Sequence, residues 1–273
     1  VESKNQFELF IMSQSNPIHI AILDLYDGSA NVGMDCIMDI LEDWSKKQSV
    51  TIITTVFDVR VKNVLPDDSY DLYLSSGGPG SPIDTHTAAW DIAYCNWLDH
   101  MFAQKKPVLL ICHSFQIACR HFNIGKVGLR KSKQLGILPI HPTADHAIFE
   151  ALPDPFFALE SRMYQITEPN DEKIESMGAT IIALEKIRPQ LPYERALMGV
   201  AFSDKMIGVQ FHPEATKERL SSYFNTDAIK SAVVEDFSED KWNQIIQSLE
   251  EDSKIKHTCS RFIPNFLNQM LPV

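Results

Sequence analysis

Pro107-Val108-Leu109-Leu110-Ile111-Cys112-His113-Ser114-Phe115-Gln116 passes from a short apolar run directly into a segment with helical spacing, with a thiol at the join. The run is too short for a helix and opens on proline, so it reads as a fully buried strand. Ser114 to Phe122 reads as the helix that follows it. Far downstream a second apolar run, Ile207-Gly208-Val209-Gln210-Phe211, ends in His212-Pro213-Glu214. A thiol at one strand end, with an imidazole and a carboxylate at another, supplies the side chains of a nucleophilic triad.

Working outward, strand-like and helix-like segments alternate. Ile18 to Leu25, Val50 to Phe57 and Asp71 to Ser75 read as further strands. Cys36, Ile37, Ile40, Leu41 and Trp44 mark one helix, and Ala88, Ala89, Ile92, Ala93, Trp97 and Met101 another. Near-continuous apolar strands alternating with helices predict a doubly wound, mostly parallel α/β sheet covered on both faces. Ligands bind at the carboxyl ends of such strands. Ser75-Ser76-Gly77-Gly78-Pro79-Gly80, Cys112 and His212 all end predicted strands, so right-handed crossovers bring them to one edge.

Val127 to Gln165 is less periodic and reads as short strands and loops. Ile181 to Leu184, Leu197 to Ala201 and Ile207 to Phe211 follow as strands, the last two forming a hairpin around Ser203-Asp204-Lys205. From about Thr216 the chain turns acidic and helical. One apolar stripe there comprises Trp242, Ile245, Ile246 and Leu249; another comprises Ile263, Phe266, Leu267 and Met270, with Pro264 expected near a first helical turn. The expected organisation is a domain over residues 1–218 and a helical C-terminal extension over 219–273 packed on it.

Composition removes several classes. Of the 273 residues 44% are hydrophobic, and the net charge of −11 argues against a phosphate-binding role and hence against nucleic acid. Five scattered cysteines without a CxxC pair suit a reducing compartment, and we expect a cytoplasmic protein. No apolar run is long enough to cross a membrane, and Val1 to Pro17 does not read as a signal peptide. The histidines other than His212 show no metal-ligand spacing, and no phosphate or dinucleotide fingerprint is present, so neither metal nor cofactor is expected.

In the expected chemistry, Cys112 gains thiolate character from the helix N-terminus and from His212. Glu214, two residues on along an extended segment, shares a face with His212 and can fix its tautomer. Oxyanion donors are available from the backbone of the Gly77-Gly78-Pro79-Gly80 turn and from the N–H of His113. Taken singly, a buried cysteine is usually a small hydrophobe and a glycine-rich run a turn; their convergence at strand ends gives them meaning together. Asp24 to Gly28 edges the same cleft without an assignable role.

These segments resemble the class I glutamine amidotransferase family: Ser76-Gly77-Gly78-Pro79-Gly80-Ser81-Pro82 as the oxyanion strand, Cys112-His113-Ser114-Phe115-Gln116 as the nucleophile elbow, and Gly208-Val209-Gln210-Phe211-His212-Pro213-Glu214 as the third motif. The likeness runs from about residue 18 to 218. It implies the flavodoxin-like fold of that family and the triad Cys112, His212 and Glu214. It further implies attack of Cys112 on the side-chain amide of glutamine, a γ-glutamyl thioester, and release of ammonia. Gln116 corresponds to the residue that holds the substrate, and Gly78 and His113 to the oxyanion donors.

Two departures stand out. Leu110 and Ser114 occupy positions where the family elbow carries glycine, and Ser161-Arg162-Met163-Tyr164 lacks the histidine and aspartate of the matching stretch. Arg162 is either a surface residue or a carboxylate anchor. The expected function is therefore a glutamine amidotransferase-type hydrolase of glutamine or a related γ-glutamyl amide. The segment after Thr216 is too short for a synthetase, so ammonia goes to a separate synthetase subunit or is simply released. Homoserine acyltransferase-like acyl transfer and a non-catalytic regulatory role are the alternatives. The oligomeric state is left open.

Overall fold

The structure is a computed structural model that describes residues 16–187, 190 and 194–271. Most of the opening segment read for a signal peptide lies outside them. Among the described residues nine strands, numbered in chain order, form one sheet in the order β2-β1-β3-β4-β9-β8-β7-β5-β6. The parallel half comprises β1 (Ile18–Asp24), β2 (Ile52–Asp58), β3 (Leu72–Ser75), β4 (Val108–Ile111) and β9 (Met206–Val209). Every residue of β3, β4 and β9 is buried, as expected for strands covered on both faces.

Alternation along these strands divides the core in two. Ile20, Ile22, Leu72, Leu74, Leu109 and Ile111 face one layer, which holds Ile37, Leu41 and Trp44 of α1 (Gly33–Gln48). Ala21, Leu23, Tyr73, Val108 and Leu110 face the other. There they meet Tyr94, Trp97 and Met101 of α2 (Ala89–Ala103) and Phe115, Ile117 and Cys119 of α3 (His113–His121). The doubly wound α/β architecture follows from this two-sided burial. β4 lies between β3 and β9, so the three segments with candidate chemistry leave adjacent strands at one edge.

Beyond β9 the sheet continues antiparallel through β8 (Leu197–Ala201), β7 (Thr180–Glu185), β5 (Gly125–Pro142) and β6 (Phe156–Pro169). The last two correct the expectation of short strands and loops: they form a long antiparallel pair whose register shifts between Leu129 and Gln134. The intervening Arg130-Lys131-Ser132-Lys133 is polar and largely exposed, which erases the period-2 signal there. A short helix, α4 (Asp171–Met177), joins β6 to β7.

Four helices close the chain: α5 (Lys217–Phe224), α6 (Asp227–Asp236), α7 (Glu239–Glu250) and α8 (Asp252–Met270). Phe262, Ile263, Phe266 and Leu267 of α8 join the same core layer as α1, and Trp44 Nε1 donates to Asn268 Oδ1 at 2.8 Å. Pro264 lies inside α8 rather than near its start. A proline there loses a helical hydrogen bond, and the buried apolar residues around it keep the helix continuous. No described helix is long and apolar enough to cross a membrane.

Phe266 is fully buried against this layer. Phe266→Ala should therefore lower unfolding free energy by about 3–5 kcal/mol, read as a shifted urea midpoint at unchanged slope.

Candidate active site

Cys112 joins β4 to α3 with φ +51° and ψ −97°. Positive φ is unfavourable for a residue with a Cβ, at roughly 1–3 kcal/mol, so neighbouring bonds must impose it. Cys112 N donates to Val209 O at 2.7 Å, and Gln116 N donates to Cys112 O at 3.0 Å. The hydroxyl of Ser114 accepts from Ile111 N at 2.8 Å and has Ser75 O and Ile111 O as acceptors, each at 3.0 Å. Ser114 thus ties the elbow to the end of β3, a bond glycine could not make. Leu110, the other departure, is fully buried and pairs in register with Gly208. A Cβ on Gly208 would fall 2.5 Å from the Phe115 ring, so the missing side chain on β9 makes room for α3.

His212 follows β9, and its N–H donates to Leu159 O on β6 at 2.9 Å. Its Nδ1 lies 2.8 Å from Glu214 Oε1, with both side chains almost wholly buried. Burial opposes a charge on this imidazole, but the Glu214 carboxylate, the Cys112 sulfur and hydrogen bonds to both raise its pKa well above the ordinary histidine value. Gly77 fits between the two side chains: a Cβ there would lie 2.9 Å from His212 Cε1 and 3.5 Å from Cys112 Cβ. Gly78 rests on the residue that follows β1, where a Cβ would meet Leu25 O at 2.2 Å.

Cys112, His212, Glu214, Gly78 and Gln116 line one cavity of about 700 Å³. His113 does not line it. It opens α3, and its ring is buried outside the cavity. Burial, with further repulsion from Arg60 and Arg120, pushes its pKa down to about 4. Arg162 is no surface residue: its side chain is fully buried, although the residue forms part of the cavity wall. Nε donates to Glu160 Oε2 at 2.7 Å and Nη2 to Glu185 Oε1 at 3.4 Å, while Nη1 has no partner among the described residues.

Two residues of this site carried no assigned role in the sequence. Gln210 Nε2 donates to Cys112 Sγ at 3.6 Å, and Gln210 Oε1 accepts from Gln116 Nε2 at 3.1 Å. The available signal was spacing: Gln210 stands two residues before His212 on an extended segment and shares its face. Tyr26 reaches in from the turn after β1, its hydroxyl close enough to Gly33 to exclude any side chain there. Burial, then the charges of Glu214 and Cys112, raises its pKa well above that of a free phenol.

The cavity floor therefore offers a thiol on a strained backbone, an imidazole oriented by a carboxylate, and a glycine-rich turn. The glutamine amidotransferase class-I family model matches residues 36–231, and the chain belongs to this family. Gamma-glutamyl peptidase 2 of Arabidopsis thaliana is 26% identical over 274 aligned residues, covering 94% of this chain and 96% of that protein. Among solved structures, a glutamine amidotransferase from Thermotoga maritima superposes with a TM-score of 0.68 at 15% identity, covering 94% of this chain and 99% of that one. The Trypanosoma brucei CTPS glutaminase domain with bound acivicin gives 0.60 at 12% identity, over 92% and 94%.

The environment of His113 has a consequence for stability. Its folded pKa of about 4 lies below the unfolded value of about 6.5, so the unfolded chain takes up the proton first as pH falls. The contribution of the neutral, buried ring is full above pH ~6.5 and is lost progressively toward pH ~4. Urea unfolding between pH 7 and 4 should show a shallower loss for His113→Gln than for wild type, by up to about 1.4 kcal/mol per pH unit.

Proposed function

We propose that this protein hydrolyses γ-glutamyl amides through a Cys112 thioester. The observation that carries the reading is the contiguous set of Cys112 on its strained elbow, His212 beside it, and Glu214 on the far nitrogen of the imidazole at 2.8 Å. The raised pKa of His212 makes its imidazole a ready acceptor for the thiol proton. The thiolate adds to the γ-carbonyl, and the oxyanion takes hydrogen bonds from the main-chain N–H groups of Gly78 and His113. The imidazolium gives its proton to the leaving nitrogen as the C–N bond breaks. Neutral His212 then accepts a proton from water, which attacks the thioester and frees the γ-carboxylate and Cys112.

Gln116 and Gln210 flank the thiol, joined to each other by a hydrogen bond of 3.1 Å. The far wall of the cavity supports an amide larger than that of glutamine. Leu220, Tyr223 and Phe224 of α5 and Ile229 and Val233 of α6 line it, and its volume falls in the roughly 300–1,000 Å³ range of sites for substantial organic ligands. The peptidase name of the Arabidopsis relative points the same way.

The test is glutamate release from glutamine and from γ-glutamyl dipeptides with apolar second residues. Wild type should turn over the dipeptides, and Cys112→Ser should lose at least about 10³-fold in kcat. An electrophilic glutamine analogue should label Cys112 stoichiometrically. No turnover of any γ-glutamyl amide, together with no labelling, would overturn the reading.

The alkaline limb of the kcat/KM profile should report loss of the proton on His212. Glu214→Gln removes the charge that raises this pKa, so that limb should move to lower pH while kcat falls. A limb that stays in place would detach Glu214 from the imidazole.

A further inference from the structure

The Gly77-Gly78-Pro79-Gly80 turn has little stiffness of its own. Gly77 and Gly78 present no Cβ, and Gly80 sits at φ +97°. Rotation of the Gly77–Gly78 peptide plane would re-aim the Gly78 N–H at small cost. Something outside the turn must hold that plane.

One side is held by Ser76, whose hydroxyl donates to Gly77 O at 2.8 Å and accepts from Leu25 N at 3.0 Å. In a trans peptide the Gly78 N–H points opposite to Gly77 O, so fixing the carbonyl aims the N–H. The other side is held from a distant part of the chain. Arg60 lies in the turn after β2, on the opposite side of β1 from β3. Its Nη1 donates to Pro79 O at 2.5 Å and to Leu25 O at 3.3 Å, and its Nη2 to Asp27 Oδ2 at 3.1 Å. The guanidinium is packed 4.9 Å from the Trp90 ring centroid, and the side chain is 9% exposed.

These two carbonyls bracket Gly78: Pro79 O belongs to the residue after it, and Leu25 O is the atom its Cα rests against. One guanidinium nitrogen, Nη1, therefore bridges the turn and its seat, while Nη2 anchors the group on Asp27. Its charge also reaches His113, the residue that supplies the other main-chain donor.

We infer that Arg60 is a positioning residue for the oxyanion hole: with Ser76 on the opposite side, it clamps the Gly78 peptide so that its N–H is aimed before substrate arrives. The inference rests on the hydrolytic reading of the same site. Preorganised donors of this kind act on the transition state more than on the bound ground state.

Arg60→Met and Arg60→Lys test it. Arg60→Met should lower kcat for the γ-glutamyl dipeptide by about 100-fold with little change in KM, and Arg60→Lys should recover part of the loss. Alkylation of Cys112 by iodoacetamide forms no oxyanion, so its rate should match wild type in both variants. Amide hydrogen exchange at Gly78 and Gly80 should be faster in Arg60→Met. Wild-type kcat in Arg60→Met, or alkylation falling in step with turnover, would overturn the positioning role. If wild type itself hydrolyses nothing, the hydrolytic reading falls, and the exchange rates still decide whether Arg60 clamps the turn; unchanged exchange would refute it.

Discussion

The site depends on one unfavourable backbone conformation, the positive φ of Cys112. A buried strand that runs into a helix through such a residue must turn sharply, and the turn lifts the side chain out of the sheet toward its carboxyl edge. The conformation persists because bonds converge on it from three strands: β9 accepts from Cys112 N, and Ser114 links the end of β4 to the last carbonyl of β3. β3 and β9 also carry the glycine turn and His212. The bonds that hold the strain are thus the ones that set the distances between the thiol, the imidazole and the turn, and an elbow relaxed to negative φ would lose both together.

Electrostatics builds on that geometry. His212 is buried, which alone would keep it neutral; Glu214 at 2.8 Å reverses the preference. The same negative charges act on Tyr26, pushing its phenol further toward the neutral form. His113, adjacent to the thiol in sequence, is held neutral by burial and by Arg60 and Arg120. Two histidines near one cysteine are therefore pushed in opposite directions. What separates them is which charges lie beside each ring, Glu214 for one and arginines for the other.

The parallel half of the fold was legible because burial on both faces writes long apolar runs, as in Leu72 to Ser75 and Val108 to Ile111. The ends of those runs then located Cys112, His212 and Gly78. The β5–β6 pair was not legible, since the polar Arg130 to Lys133 stretch interrupts its alternation. Ser114 read as a small residue standing in for glycine, whereas its hydroxyl is a working part of the elbow. The reading of Arg162 as a surface residue failed because its burial depends on Glu160, Glu185 and Met198 from separate strands. Arg60 left no local signal at all, and Tyr26 read only as part of a segment edging the cleft. Their partners lie far away in sequence, and only the packing of β1 between β2 and β3 brings them to the glycine turn.

The antiparallel half and the final helices have a mechanical bearing on the site. His212 N donates to Leu159 O, so the strand that supplies Ser161 and Arg162 is hydrogen-bonded to the segment that supplies the imidazole. Leu159 and Leu135 also line the cavity, and they belong to the apolar cluster that holds Leu220, Phe224 and Val233 of α5 and α6. A group pressed against that far wall therefore bears on the same strand that positions Arg162 and steadies His212. On the proposed hydrolytic reading, recognition of the leaving amine and alignment of the proton donor are coupled through β6. Shortening or polarising the α5–α6 wall would then weaken catalysis on large amides through the imidazole as well as through lost contact area.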